Sequence, residues 1–306
     1  MSHLLRKKKG PVVTQGGYLH KRSFKGHKDV VNCFALGDSH LFTASNDMTI
    51  KVWVLETGSL KSTLEGHVQG VCCLCLSDGF LYSGSFDSTL KKWDTKEMAC
   101  INTYQGHLEA VYAVDVTGGF VVSASRDKTL RVWQESSGKE TATLRGHMGP
   151  VLSLLVQDRF MYSGSDDATI KLWDWRSGAE VRSFVGHHAG VTAVKLADPQ
   201  LYSASFDATL RIWNVKTAQC VRVCRAEAGL KCLDLGGGKL FGAGNNACIF
   251  VWDLQSNAEQ PLLSERLARA GLTSIQLDGN SIYCSSADNV VRHWEKVSNA
   301  GALAAQ

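Results

Sequence analysis

Apolar and polar positions along this chain come in short runs that do not settle into a helical period. The segment Val71-Cys72-Cys73-Leu74-Cys75-Leu76 is nearly all apolar, which predicts a strand buried on both faces. Ser77-Asp78-Gly79 reads as a turn. Phe80-Leu81-Tyr82-Ser83-Gly84-Ser85 reads as a second strand, with small residues where neighbours must approach closely. Phe86-Asp87-Ser88 turns the chain again, residues 89–94 alternate as a third strand, and residues 58–65 alternate well enough for an outer strand. Short strands with a turn signal every 8–12 residues predict an all-β chain. Residues 265–270 are the one helix-like fragment.

This unit recurs. Seven Trp fall at 53, 93, 133, 173, 213, 252 and 294, so they are spaced by 40, 40, 40, 40, 39 and 42. Five Gly-His pairs, at 26–27, 66–67, 106–107, 146–147 and 186–187, keep the period of 40, and each His precedes a Trp of the series by 26. A fixed period of this length means an array of one supersecondary unit, whose blades or coils bury their faces on one another. Such arrays are usually rigid binding surfaces.

The fullest units run Gly66-His67, Ser83-Gly84-Ser85-Phe86-Asp87, Lys92-Trp93-Asp94, and Gly146-His147, Ser163-Gly164-Ser165-Asp166-Asp167, Leu172-Trp173-Asp174. These motifs resemble the WD-repeat family over nearly the whole chain. The resemblance implies a seven-bladed β-propeller with four antiparallel strands per blade around a central channel. Residues 17–297 would form the ring, with 1–16 a basic flexible tail and 298–306 a second tail. Blade seven has residues for three strands only. Residues 17–24 precede the first Gly-His without a blade of their own, so they would be its fourth strand and close the ring, removing an open edge.

The resemblance also implies a polar network in each blade. By position it is His27, Thr43, Asp47 and Trp53 in blade one, then His67, Ser83, Asp87 and Trp93 in blade two. Blade three has His107, Ser123, Asp127 and Trp133; blade four His147, Ser163, Asp167 and Trp173; blade five His187, Ser203, Asp207 and Trp213. A buried indole N–H needs an acceptor, and a chain through hydroxyl, imidazole and carboxylate satisfies each group in turn. Five copies of His, Ser and Asp are therefore read as staples and not as hydrolase triads. Blade six departs, with Ala226, Gly242 and Asn246 at the first three positions. Blade seven lacks Gly-His and has Cys284 for the hydroxyl, keeping Asp288 and Trp294.

Two surfaces carry candidate binding chemistry. The turn tips before each blade Asp face the narrower, upper side in the family and read Asn46, Phe86, Arg126, Asp166, Phe206, Asn245 and Ala287. The neighbouring bulge positions are, by the same resemblance, Asn32, Cys72, Tyr112, Leu152, Thr192, Lys231 and Thr273. Phe at a tight turn is costly unless covered, and aromatic and Arg side chains are favoured interface anchors. Asn32, Asn46, Phe86, Tyr112, Arg126, Asp166 and Phe206 are the candidate partner contacts. On the lower side, Trp173-Asp174-Trp175-Arg176 resembles the box by which some WD-repeat substrate receptors dock onto the adaptor of cullin-RING ubiquitin ligases, with Trp175 and Arg176 as the contacts.

Composition narrows the rest. The chain has 306 residues, 44% apolar, and a net charge of +4. Eight Lys/Arg and no acid lie in residues 1–28, so the remainder holds 25 basic and 29 acidic residues, and the positive charge belongs to the leading arm. Scattered basic residues on the body form no basic–aromatic track, which argues against nucleic acid as the partner. No stretch approaches the roughly 18 apolar residues of a membrane span, and the basic start has no apolar core behind it to make a secretory signal. Ten Cys, mostly in apolar strand segments, suit reduced thiols in the cytoplasm or nucleus. Cys72-Cys73-x-Cys75 lies within one strand and points to opposite faces, so it offers no metal site. Gly242-x-Gly244-x-x-Ala247 and Gly236-Gly237-Gly238-Lys239 lack the helix or the spacing for a phosphate loop.

The expectation is a monomeric, non-enzymatic scaffold or adaptor for proteins or peptides, needing no metal or cofactor. A ligase substrate receptor is the alternative, and a catalytic propeller the more remote one.

Overall fold

The computed structural model describes residues 13–297. The basic residues Arg6 to Lys9 and the expected tail at 298–306 lie outside the described residues.

Twenty-eight strands form seven four-stranded antiparallel sheets, with no helix among the described residues. Residues 265–270, which looked helical, give the end of an outer strand and the loop after it. Blade two is representative: Val71–Ser77, Phe80–Ser85, Leu90–Asp94 and Ala99–Tyr104, each paired with the next. The first strands of successive blades contact one another around the axis, so they wall the channel. Blade seven is built from Leu272–Asp278, Ser281–Ser286 and Val290–Lys296, with Tyr18–Lys25 as its outer strand. The register runs from Tyr18 opposite Lys296 to Lys25 opposite Val290. The ring therefore closes between the two ends of the chain, as the strand count requires.

Order begins before residue 17, where the ring was expected to start. The backbone N–H groups of Gln15 and Gly16 donate to the Glu265 carboxylate at 2.6 and 2.9 Å, and Val13 bridges Leu19. Residues 13–16 are thus tied to blade six, and not part of a loose tail.

Burial differs from expectation in one respect. The apolar run predicts a first strand buried on both faces, yet Val71–Ser77 is buried only at Val71 and Cys73. The second strand is the fully buried one, Leu81 to Ser85, and the same holds in every blade. The physical reason is position. The first strand shows one side to the channel, while the second is sandwiched between neighbours in its own sheet and in the adjoining blades. The series Trp93, Trp133, Trp173, Trp213 and Trp252 is essentially inaccessible and fills the space between adjacent sheets.

Buried carboxylates pin some blades together. Asp115 accepts from the backbone N–H of Val156 in the next blade at 2.8 Å, and Asp234 from that of Leu277 at 2.7 Å. Burial raises the Asp115 pKa against these bonds.

Candidate binding face and its supporting network

All five complete blades contain the network, with one geometry. The indole N–H donates to the Ser or Thr hydroxyl at 2.8–2.9 Å. That hydroxyl lies 2.7–2.8 Å from His Nε2. His Nδ1 lies 2.8 Å from an Asp oxygen. The five hydroxyl residues, Thr43, Ser83, Ser123, Ser163 and Ser203, have no exposed surface, so none can meet a substrate as a nucleophile.

Two further partners were not read from the sequence. A Thr two residues after each Asp (Thr49, Thr89, Thr129, Thr169, Thr209) donates its hydroxyl to the second Asp oxygen at 2.6 Å. A Ser two residues before each Asp accepts the Asp backbone N–H at 3.0–3.1 Å. These bonds brace a turn in which Met48, Ser88, Lys128, Ala168 and Ala208 adopt positive φ without being glycine, as do Ala247 and Asn289 in the two blades that lack the full set.

Blades six and seven solve the same problem differently. With Gly242 in place of the hydroxyl, Trp252 donates to the backbone carbonyl of Glu259 at 3.1 Å, because residues 254–262 fold inward. Asn246 accepts one backbone N–H, from Cys248, at 3.2 Å. In blade seven Asp288 is held by Arg292, at 2.9 and 2.6 Å, and the Trp294 N–H is left with the weak Cys284 thiol in place of a hydroxyl.

The network gives stability a pH dependence. Burial alone would lift the Asp carboxyls, but bonds from Thr49, the Lys28 N–H and His27 bring Asp47 down to about 2. Asp87, Asp127, Asp167 and Asp207 are likewise held well below the usual range. Burial lowers the His27 and His187 pKa values, outweighing the adjacent Asp. Every one of these groups binds a proton more readily when unfolded, so acid favours unfolding. The urea midpoint is expected to be flat between about pH 7 and pH 8, to fall as pH drops below about 6.5, and to fall more steeply below about 4. A midpoint unchanged from pH 8 to pH 4 would contradict this assignment.

On this frame sits the upper face. Each first strand carries one extra residue near its start, seen as a register shift: Asn32, Cys72, Tyr112, Leu152, Thr192, Lys231 and Thr273. All seven line one recess of 380 Å³ at the channel mouth, together with Phe86 and Phe206. Each turn tip is fixed by its backbone N–H to the loop entering the same blade, for example Phe86 to the Gly70 carbonyl at 2.9 Å and Phe206 to Gly190 at 3.1 Å. Gly70 permits the packing of this corner, since a Cβ there would lie 3.0 Å from the Phe86 ring and 2.9 Å from Asn46 Cα.

Phe86 is 39% exposed and Phe206 44%, so neither tip is covered by a neighbouring loop. The Phe86 and Tyr112 rings meet edge to face, with centroids 6.2 Å apart. Burial raises the Tyr112 hydroxyl pKa, which nearby Arg126 partly offsets. Of the candidate contacts, Asn32, Phe86, Tyr112 and Phe206 share the recess; Asn46, Arg126 and Asp166 stand at its margin and do not line it. Arg126 is paired with exposed Glu109 at 3.4 Å. Asn32 is largely engaged within the fold, its amide donating to Asn46 Oδ1 and to the Val71 carbonyl of blade two.

The lower-side pair divides. Trp175, named as a docking contact, is only 5% exposed. Its N–H donates to the Asp158 carbonyl at 2.9 Å and its ring packs on Phe120, 5.2 Å between centroids. It is therefore a packing residue, for a position that follows the blade Trp by two and turns back under the sheet. Arg176 alone is exposed, lying over the Trp175 ring.

The fold and its repeated staples define a closed, seven-bladed propeller. A family model described as WD domain, G-beta repeat matches residues 19–54, 58–94, 98–134, 138–174 and 178–214, and the chain belongs to this family. Each matched segment joins the outer strand of one blade to three strands of the next, which is the offset that closes the ring. A search of curated proteins finds no match. Among solved structures, the computationally designed Ika8 protein aligns with a TM-score of 0.74 and 28% identity, covering 88% of this chain and 85% of that one.

Proposed function

We propose that this chain is a non-enzymatic interaction scaffold that holds a peptide or protein segment across the upper mouth of its channel. The observation that carries this reading is the pairing of two exposed aromatic tips, Phe86 and Phe206, with Tyr112 in one recess. Apolar area there drives burial, while Lys231 in the recess favours a ligand with an acidic group. Rigidity supports it too, because a face held by five staples loses little entropy on binding.

Phe86→Ala and Tyr112→Ala are each expected to weaken the principal partner by ~1–3 kcal/mol, with the melting temperature nearly unchanged. Quantitative affinity purification beside wild type identifies the partner, and titration of that partner measures the loss. Unchanged dissociation constants in both variants would move the interface elsewhere. The ligase-receptor alternative keeps Arg176 as its sole exposed contact and gains no further geometric support.

A further inference from the structure

The loop entering blade seven follows the path of the complete blades. Arg269 N–H donates to Asp288 at 3.3 Å, as Lys28 does to Asp47 and His188 to Asp207. This places Ala268 where the other blades hold their histidine. A methyl group cannot fill the volume of an imidazole, and an open cavity of 540 Å³ lies there.

Its walls are unusual in charge. Lys25, Arg266, Arg269 and Arg292 line it against a single carboxylate, Asp288. Asp288 offers little repulsion to an anion, because Arg292 grips both of its oxygens. Lys25 and the Arg269 side chain make no ion pair among the described residues, and Arg266 uses Nε on the Ala268 carbonyl at 3.3 Å. Burial and then the charges of Arg292 and Lys25 lower the pKa of His20 on the same wall.

A second observation comes from the indole. Trp294 lines the cavity and is 5% exposed, and its N–H has only the weak Cys284 thiol, in the place of the hydroxyl, as acceptor. Blade six also lacks the histidine, yet residues 254–262 fold in and supply the Glu259 carbonyl to Trp252. Blade seven has no such inserted loop. It keeps the space open and surrounds it with cations, which repel one another unless an anion joins them.

We propose that this cavity is a site for a dianionic phosphate, taken as the free ion or as the phosphate of a phosphorylated side chain. Lys25, Arg266 and Arg269 would hold it, the Arg forks matching its oxygens. The site is separate from the channel mouth and does not depend on it.

Isothermal titration of the full chain at low ionic strength, with inorganic phosphate and separately with N-acetyl-phosphoserine amide, tests this. Saturable binding of one equivalent of at least one probe is expected, and the tighter probe identifies the source of the phosphate. Lys25→Gln and Arg269→Gln, both at exposed positions, should each weaken it about tenfold, the loss of one charge-assisted contact. Ala268→His should occupy the part of the cavity beside Asp288 and weaken binding. Arg145→Gln, at the matching end of the outer strand that precedes complete blade four, should leave it unchanged. No saturable binding of either probe, or wild-type affinity in both Arg269→Gln and Lys25→Gln, overturns the proposal.

Discussion

Asp127→Ala is expected to destabilise the protein by ~1–3 kcal/mol more than Asn246→Ala, although both residues occupy the same position in the repeat. The Asp127 carboxylate accepts from His107 at 2.8 Å, the Leu108 N–H at 3.1 Å, the Thr129 N–H at 3.0 Å and the Thr129 hydroxyl at 2.6 Å. Alanine leaves all four donors without that acceptor in a site closed to water, and also frees the His107 ring that props Ser123 under Trp133. Asn246 accepts one backbone N–H and is exposed, so its loss is absorbed by solvent. Urea melts of the two variants decide the matter; equal midpoints would mean that the network contributes little to stability.

Deletion of residues 1–24 is expected to have the larger effect on the state of the protein. It removes all but the last residue of Tyr18–Lys25, strips Tyr18 and Phe24 from the core, and leaves Val290–Lys296 as a raw edge. Such an edge pairs with another chain, so the product should aggregate, or form dimers through blade seven. Deletion of residues 1–12 removes none of the contacts described above and should give a monomer of normal stability. Size-exclusion chromatography with light scattering separates these outcomes. A stable monomer from the longer deletion would show that the outer strand of blade seven is dispensable.

Much of this was legible in the sequence because the repeat makes one unit speak for five. The spacing of His67, Ser83, Asp87 and Trp93 recurs, so one chain of polar groups, once understood, recurs with it. Closure was legible because residues 17–24 had the pattern of an outer strand and no blade to join. Three features were hidden, each for a physical reason. The partner of Trp252 is a backbone carbonyl, which any residue type supplies, so nothing at Glu259 marks it. The positive φ of Met48, Lys128 and Ala208 belongs to the strand-to-strand turn, shared by Ala247 and Asn289, and the residues themselves carry no glycine signal. Trp175 sits in a stretch that reads as an exposed turn, and only the neighbouring blade three, through Phe120, explains its burial.

The candidate binding residues divide along the same line. The gathering of seven bulge positions and two Phe around one recess follows from the period and the ring. Which of them remain available depends on local bonds. Asn32 is tied to Val71 and Arg126 to Glu109, whereas Phe86 and Phe206 present uncovered rings. The aromatic tips are therefore the part of the face on which an interaction is expected to turn.

The most direct test of the upper-face reading is site-specific photo-crosslinking in cells, with a benzophenone amino acid in place of Phe86 in one protein and of Arg176 in another. A discrete adduct from position 86, absent when the probe stands at 176 on the opposite face, is the result this account predicts. An adduct from position 176 with none from 86 would contradict it.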